Sequence, residues 1–173
     1  MSKPAPVRWL TAQEQHAWRA HLRVNARMSE LLDADLRAHG LDLAEYEILV
    51  SLEEVPDRQL RMSELAEAVH QSRSRLTHTV GRMENQGLVE RVSCPSDRRG
   101  VWAHLTEHGL AVLVQAAPSH VERVREHFVD PIPAGDLDAL DRAYDAMLTA
   151  IDRTQGDLEP VSAEQRAPAG HRA

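Results

Sequence analysis

The fold is decided by residues 62–106, whose sequence is MSELAEAVHQSRSRLTHTVGRMENQGLVERVSCPSDRRGVWAHLT. Residues 62–69 have helical composition, and the pattern breaks at His70-Gln71. Ser72 follows the break, and serine is a preferred N-cap because its hydroxyl accepts a hydrogen bond from the first turn of a helix. The stretch therefore predicts a short helix, a tight turn and a second helix after Ser72.

The second helix has an apolar stripe and a polar face. Leu76, Val80 and Met83 lie four and three residues apart, which buries one side of a helix. A helix about 10–12 Å in diameter fits the major groove of DNA, where short polar side chains and arginines reach the base edges. The candidate DNA-binding residues here are the N-cap and six outward side chains: Ser72, Arg73, Ser74, Arg75, Thr77, His78 and Arg82.

A β-hairpin is predicted after this helix. Gly87 ends the helix, residues 88–92 and 101–105 have the pattern of strands, and residues 94–100 between them form a turn-rich loop. Helix, turn, helix and hairpin in this order are typical of a winged helix-turn-helix.

The tip of the hairpin carries two further candidate DNA contacts, Arg98 and Arg99. An arginine on an extended loop can enter the minor groove, whose negative potential attracts guanidinium groups. Asp97 is a poor DNA contact itself, but it can orient a neighbouring guanidinium by a charge-assisted hydrogen bond.

Two capping boxes precede this segment. Thr11-Ala12-Gln13-Glu14 and Asp42-Leu43-Ala44-Glu45 both place a carboxylate three residues after an N-cap side chain. They predict a first helix that reaches Gly40 and a second that ends near Pro56-Asp57. At about 28 residues the first helix is much longer than the average of about 11–12, which favours contact with a partner subunit.

The chain after the hairpin is also predicted to be helical. Thr106 is expected to cap a helix in which Pro118 introduces a kink or a division, because proline has no N–H. Residues 1–10 are interpreted as a flexible arm and residues 155–173 as a disordered tail. The fold class is mainly α with a small β-hairpin wing, a winged helix-turn-helix lobe with N- and C-terminal helices. The last helix carries the clearest apolar stripe: Leu137, Leu140, Tyr144, Met147, Leu148 and Ile151.

Length and composition limit the classes of protein to which this chain can belong. The 173 residues suit a single domain, predicted over 11–154, and no apolar run approaches the roughly 20 residues of a membrane span. The single cysteine, Cys94, excludes an internal disulfide, and the absence of a secretory signal favours the cytoplasm. The net charge is −7, yet residues 69–100 hold six arginines against three acids, so this segment carries +3 and the rest −10.

The motifs in this segment resemble the MarR family of bacterial transcriptional regulators. The resemblance covers about residues 11–154. It is carried by the hairpin signature and the helix-turn-helix pattern: Asp97-Arg98-Arg99-Gly100, Leu105-Thr106-Glu107, Gly109, Ser63-Glu64-Leu65-Ala66, Ser72, Leu76-Thr77 and Gly87-Leu88-Val89-Glu90-Arg91.

The resemblance implies a homodimer that binds a short pseudo-palindromic operator in double-stranded DNA, in most cases as a repressor. It implies dimerisation helices over 11–39 and 106–154 around a DNA-binding lobe over about 42–106. It also implies that Arg99 enters the minor groove and is held by Asp97, with Arg98 near phosphate.

The resemblance further implies release of DNA when a small aromatic or phenolic acid binds between the dimerisation helices and the DNA-binding lobe. We expect Trp18 as an aromatic wall and His21 and Arg27 as polar anchors of that site. A redox switch is disfavoured because the first helix has no cysteine, and no cofactor is predicted.

Three alternatives stay open. Ten histidines allow a zinc-responsive regulator, although no local spacing forms a metal cage. The net acidity allows a winged-helix module that binds protein and lacks DNA specificity. An enzyme is disfavoured because no nucleophile elbow, phosphate-binding glycine loop or metalloprotease spacing is present.

Overall fold

The computed structural model describes residues 7–93 and 100–158, with side chains to residue 154. The chain divides into two compact units, Met1–His127 and Phe128–Ala173. The described part is mostly helical with one small sheet, as the sequence predicts. Its α-helices are α1 (Ala12–Leu36), α2 (Leu43–Glu53), α3 (Met62–Ala68), α4 (Arg73–Asn85), α5 (Glu107–Val124) and α6 (Leu137–Leu158).

Both predicted capping boxes are formed. The Thr11 hydroxyl accepts from the Glu14 N–H at 3.2 Å, and the Glu14 carboxylate accepts from the Thr11 N–H at 2.7 Å. α1 ends in a 3₁₀ turn at Arg37–His39, followed by Gly40 at φ +75°, the left-handed conformation that glycine adopts at low cost. The predicted start and end of the first helix are therefore confirmed.

The helix-turn-helix is confirmed over α3 and α4. The turn between them spans four residues and contains His70 at φ +50°, which is uncommon for a residue other than glycine. Ser72 caps α4, with its hydroxyl accepting from the Arg75 N–H at 3.3 Å. Leu76 and the rest of the predicted apolar stripe on α4 are fully buried.

The sheet has one more strand than the sequence predicts. Strands β1 (Gln59–Arg61), β2 (Val89–Ser93) and β3 (Val101–Leu105) are antiparallel in the order β1-β3-β2. β3 is central, and it pairs Val89 with Leu105 at the base of the hairpin and Ser93 with Val101 at the far end.

Thr106 joins the hairpin to α5. Its hydroxyl accepts from the Gly109 N–H at 2.9 Å, which confirms the predicted N-cap. The same hydroxyl lies 2.7 Å from the Gly87 carbonyl oxygen and 3.0 Å from that of Leu88, and it can donate to either. The end of α4, the start of β2 and the start of α5 therefore meet at one side chain.

The core of the first unit lies where α1, α2, α3, α4 and α5 pack with the sheet. Its members are buried apolar side chains, and each contributes roughly 1.5–3 kcal/mol relative to full exposure. The largest fully buried side chains are Leu36, Ile48, Leu49, Leu52, Leu65, Leu76, Val80, Met83, Val89 and Leu105.

Of the kink or division predicted at Pro118, the division is wrong. α5 runs through Pro118 to Val124 and is followed by a π-helical turn at Arg125–Val129. The proline ring deprives the Val114 carbonyl of its helical donor, and both residues are exposed, so water can satisfy that oxygen. The helical pattern therefore continues past the proline at little cost.

The second unit contains α6, which confirms the predicted amphipathic C-terminal helix. Leu140 and Tyr144 are half-buried. Four other apolar side chains are about half exposed in the single chain: Leu137, Met147, Leu148 and Ile151.

Candidate nucleic-acid interface

One face of α4 is polar and open to solvent. Opposite the buried stripe lie Ser74 and His78, while Arg73 and Thr77 flank them on one side and Arg75 on the other. All five side chains are exposed, and the Ser72 and Ser74 hydroxyls lie 3.3 Å apart at the start of the helix. The sequence therefore brings six of its seven predicted helix contacts to one accessible end and face of α4.

Two arginines at the start of α4 differ in their surroundings. The Arg73 guanidinium forms no ion pair with any residue that the structure describes. Arg75 acts electrostatically on Glu47 of α2: burial raises the pKa of Glu47, while the positive charges of His70 and Arg75 oppose that rise. Arg75 thus acts on the Glu47 carboxylate without a direct ion pair.

Arg82, the seventh predicted contact on α4, is engaged within the chain. Its Nη2 donates to Asp42 Oδ2 at 2.7 Å and to Glu45 Oε1 at 3.1 Å. Both carboxylates belong to the capping box of α2. No local sequence pattern indicates this pairing, because the partners lie 37 and 40 residues away.

Arg91 on β2 is also paired. Its Nε donates to Glu84 Oε2 at 2.7 Å, and its backbone N–H donates to Glu84 Oε1 at 3.0 Å. This bond lowers the pKa of Glu84 and raises that of Arg91. The net charge counted over residues 69–100 therefore overstates the free positive charge, since Arg82 is neutralised by carboxylates outside that segment, whereas the partner of Arg91, Glu84, is already included in the count.

Gly81 lies on the open face of α4. A Cβ built at this position would meet nothing within 4 Å. Glycine costs about 1 kcal/mol relative to alanine inside a helix. This part of the face, towards the C-terminal end of α4, consequently has no side chain, and another backbone can approach it closely.

The hairpin tip lies outside the described residues, and with it the predicted contacts Asp97, Arg98 and Arg99. Cys94 lies in the same part of the chain. The described portion of the hairpin carries Trp102 on β3, with the Arg61 guanidinium 5.4 Å from the centre of its ring. This cation–π contact joins β1 to the central strand.

The predicted effector residues do not form one group. The rings of Trp18 and His21 stack with centroids 5.7 Å apart; Trp18 is exposed and His21 is half-buried. Arg27 follows Trp18 by nine residues, about two and a half turns, so it lies on roughly the opposite side of α1. There it lines a cavity of about 440 Å³ with Arg23, His127 and the apolar residues Ala20, Val24, Met28 and Leu31.

A second cavity, of about 310 Å³, lies between α1, α2, the end of α3 and α5. Tyr46 and His120 form part of its wall, with ring centroids 4.2 Å apart, and Glu47 lies at its edge. The remaining lining is largely apolar: Leu32, Leu43, Val50, Ser51, Ala68 and Val69. The sequence analysis missed this site because Tyr46 and His120 lie on helices 74 residues apart and share no periodic pattern.

His120 has an unusual environment in this cavity. Its Nδ1 is buried and has no hydrogen-bond partner among the described residues. Burial lowers the pKa of His120, and the negative charge of Asp35 opposes this effect to a smaller extent. The ring is therefore held towards its neutral form, in which one nitrogen is an acceptor.

The described residues bear on a metal site and on a membrane span. Among the described residues, no group of three or more His, Cys, Asp or Glu side chains is placed to hold a metal ion. None of the helices in the same ranges combines the length and apolarity needed to cross a bilayer.

Comparison with known proteins identifies the family. The family model described as "MarR family" matches residues 39–100. The crystal structure of AbsC, a MarR family transcriptional regulator from Streptomyces coelicolor, is 49% identical with a TM-score of 0.81, and the match covers 84% of this chain and 99% of AbsC. Sco3205, a MarR family regulator from the same organism solved in complex with DNA, is 37% identical with a TM-score of 0.78, and the match covers 92% of this chain and 96% of Sco3205.

A curated relative agrees with these structures. The transcriptional repressor MprA of Escherichia coli K12 is 25% identical over 153 residues, which make up 87% of this chain and 86% of MprA. The family model covers α2 to the hairpin, and the AbsC match extends the similarity to nearly the whole length of a solved relative. The chain belongs to the MarR family of transcriptional regulators.

Proposed function

We propose that this protein is a dimeric, sequence-specific DNA-binding regulator that represses transcription and releases a pseudo-palindromic operator when a small aromatic or phenolic effector binds. The observation that carries the proposal is the open polar face of α4, beside a β-hairpin. Such a face has the size and the donor groups that the major groove accepts.

The relatives support DNA binding and repression. Sco3205 was solved in complex with DNA, and MprA is described as a transcriptional repressor. By this similarity we assign base contacts to Ser74, Thr77 and His78, and phosphate contacts to Ser72, Arg73 and Arg75. Asp97, Arg98 and Arg99 are assigned to the wing, with Arg99 in the minor groove.

Exposed apolar side chains support dimerisation. In the first unit Trp18, Leu22 and Val24 on α1 are each about half exposed, and in the second unit one side of α6 has the same character. Apolar surface of this extent on helices is typical of protein interfaces. We therefore assign the dimer contact to residues 11–39 and 106–154.

The cavity between α2 and α5 is our proposed effector site. Its aromatic and aliphatic wall suits a ring, and the buried Nδ1 of His120 can accept a hydrogen bond from a phenolic hydroxyl. The cavity beside Arg27 is the competing site, because its arginines suit a carboxylate.

The DNA-binding proposal is tested by fluorescence anisotropy with duplexes selected by the protein from its genome. We expect log affinity to fall steeply with log salt concentration, and Arg75→Gln to reduce that slope by about one. Arg19→Gln, the same charge change on the exposed surface of α1, is the matched control and should leave the slope unchanged. A salt-independent affinity for protein partners, with no preferred duplex, would favour the protein-interaction alternative.

The effector proposal is tested by titrating phenols, aromatic acids and zinc into the protein–DNA complex. Val50→Phe fills the cavity between α2 and α5, and Met28→Phe, at a half-buried side chain, fills the one beside Arg27, so the two variants form a matched pair. We expect Val50→Phe to abolish release by the effector and Met28→Phe to retain it. The reverse result would move the site to Arg27, and release by zinc alone would favour the metal-responsive alternative.

A further inference from the structure

Arg82 links α4 to the start of α2 through two ion pairs. Its guanidinium bridges Asp42 and Glu45, and the Glu45 side chain is only 5% exposed. A buried carboxylate needs a compensating partner, because desolvation penalises an unpaired charge. Arg82 supplies that partner, so the pairing constrains where α4 lies against α2.

Asp42 and Glu45 each use one carboxylate oxygen for the capping box and the other for the ion pair with Arg82. Asp42 Oδ1 accepts from the Glu45 N–H at 2.8 Å, and Glu45 Oε2 accepts from the Asp42 N–H at 3.0 Å, which completes the capping box. The remaining oxygen of each carboxylate accepts from Arg82. The start of α2 and the position of α4 are therefore set by the same four oxygen atoms.

Asp33 extends this network to α1. Its Oδ1 accepts from the Leu43 N–H at 2.9 Å, the first residue of α2, and its Oδ2 accepts from Arg37 at 2.8 Å. Three helices of the first unit thus converge on the N-terminus of α2. On α4, Arg75 lies seven residues before Arg82, about two turns along the same side.

We propose that Arg82 is a positioning residue rather than a DNA contact: its bridge to Asp42 and Glu45 sets the orientation at which α4 meets DNA, and Asp33 ties that orientation to α1. The inference rests on the proposed function, because the orientation of α4 matters only if α4 binds DNA. It replaces the prediction of Arg82 as a direct contact.

The test compares Arg82→Gln with the pair Asp42→Asn and Glu45→Gln in the full-length protein. Asparagine is a good N-cap and glutamine maintains a capping box, so the acidic variants remove charge while keeping the helix start. Positioning predicts that Arg82→Gln and the double acidic variant each weaken binding to the selected duplex by about tenfold, and that combining them weakens it no further. The salt slope should stay unchanged in all of them.

A direct contact predicts a different pattern. Arg82→Gln would then lower the salt slope by about one, as expected for Arg75→Gln, and loss of the two negative charges would tighten binding to DNA. Either result overturns the inference while leaving the proposed function intact. If the wild-type protein selects no duplex at all, the proposed function fails and the inference falls with it.

Stability measurements distinguish failure of the inference about Arg82 from failure of the proposed function. A double-mutant cycle of Arg82→Gln and Glu45→Gln, measured by urea unfolding at fixed protein concentration, reports their coupling without DNA. We expect clear coupling; additive effects would overturn the role of the bridge whatever the DNA result.

Discussion

A methyl group at Gly109 would overlap the carbonyl oxygen of Leu88 and lie 2.8 Å from Leu105 Cδ1. Gly109 is in the first turn of α5, and the oxygen it approaches belongs to the chain just before β2. The glycine is therefore required by close packing of α5 against the base of the hairpin, which gives a structural reason for a glycine at this point of the sequence motif.

Gly109→Ala should destabilise the fold, because a backbone carbonyl cannot move aside as a flexible side chain can. We expect the free energy of unfolding to fall by about 2–3 kcal/mol, within the range for overpacked cores. Urea unfolding followed by circular dichroism at constant protein concentration measures this loss. An unchanged midpoint would contradict the close packing.

Gly81→Ala is the opposite case within the same chain. Its Cβ would point into open space, so we expect the helix propensity of alanine to raise stability by about 0.5–1 kcal/mol. We also expect weaker binding to the selected duplex, because the methyl group lies on the face that we propose binds DNA. Unfolding and anisotropy on one preparation measure both effects, and undiminished affinity would show that DNA does not approach Gly81.

Arg99→Ala should weaken operator binding by about 1–3 kcal/mol while leaving the thermal unfolding midpoint unchanged. The physical reason is the loss of a guanidinium from the minor groove. Anisotropy at a fixed salt concentration measures the change, with Arg19→Ala as the control for removal of one positive charge. Equal affinities of wild type and Arg99→Ala would remove the minor-groove assignment.

His120 should make stability dependent on pH. Since burial lowers its pKa in the folded state, the unfolded state binds the proton first as pH falls. The stabilising contribution is therefore present above about pH 6.5 and is lost as pH falls through the folded-state pKa. The pKa of Glu47 is raised by burial, so its contribution has the opposite sign and is lost as pH rises.

His120→Gln isolates this effect because Glu47 is unchanged. We expect the variant to lose less stability than the wild type between about pH 7.5 and pH 5.5. Thermal unfolding over this range measures the difference, and His16→Gln, a change at an exposed histidine, is the control. Parallel pH profiles for wild type and His120→Gln would contradict the prediction.

Local hydrogen-bond chemistry made much of the fold predictable. The capping boxes at Thr11 and Asp42, and the caps at Ser72 and Thr106, are signals within three or four residues, and each predicted a helix start that is confirmed. The exposed face of α4 was predictable for the same reason, since helical periodicity alone separates it from the buried stripe.

Features that depend on distant residues were not predictable. β1 has only three residues, which is too short for an alternating pattern to predict a strand. Its pairing with β3 joins positions more than 40 residues apart. The engagement of Arg82 with Asp42 and Glu45 likewise appears only after folding, because an arginine on a polar helix face has the same local sequence whether it binds phosphate or carboxylate.

The hydroxyl of Thr106 has a mechanical consequence. The Thr106 hydroxyl lies within hydrogen-bond distance of the carbonyl groups just before β2, and it also caps α5. The base of the hairpin therefore cannot rotate independently of that helix without breaking these contacts. A rotation of the first turn of α5 would carry the base of the hairpin with it, as a rigid lever.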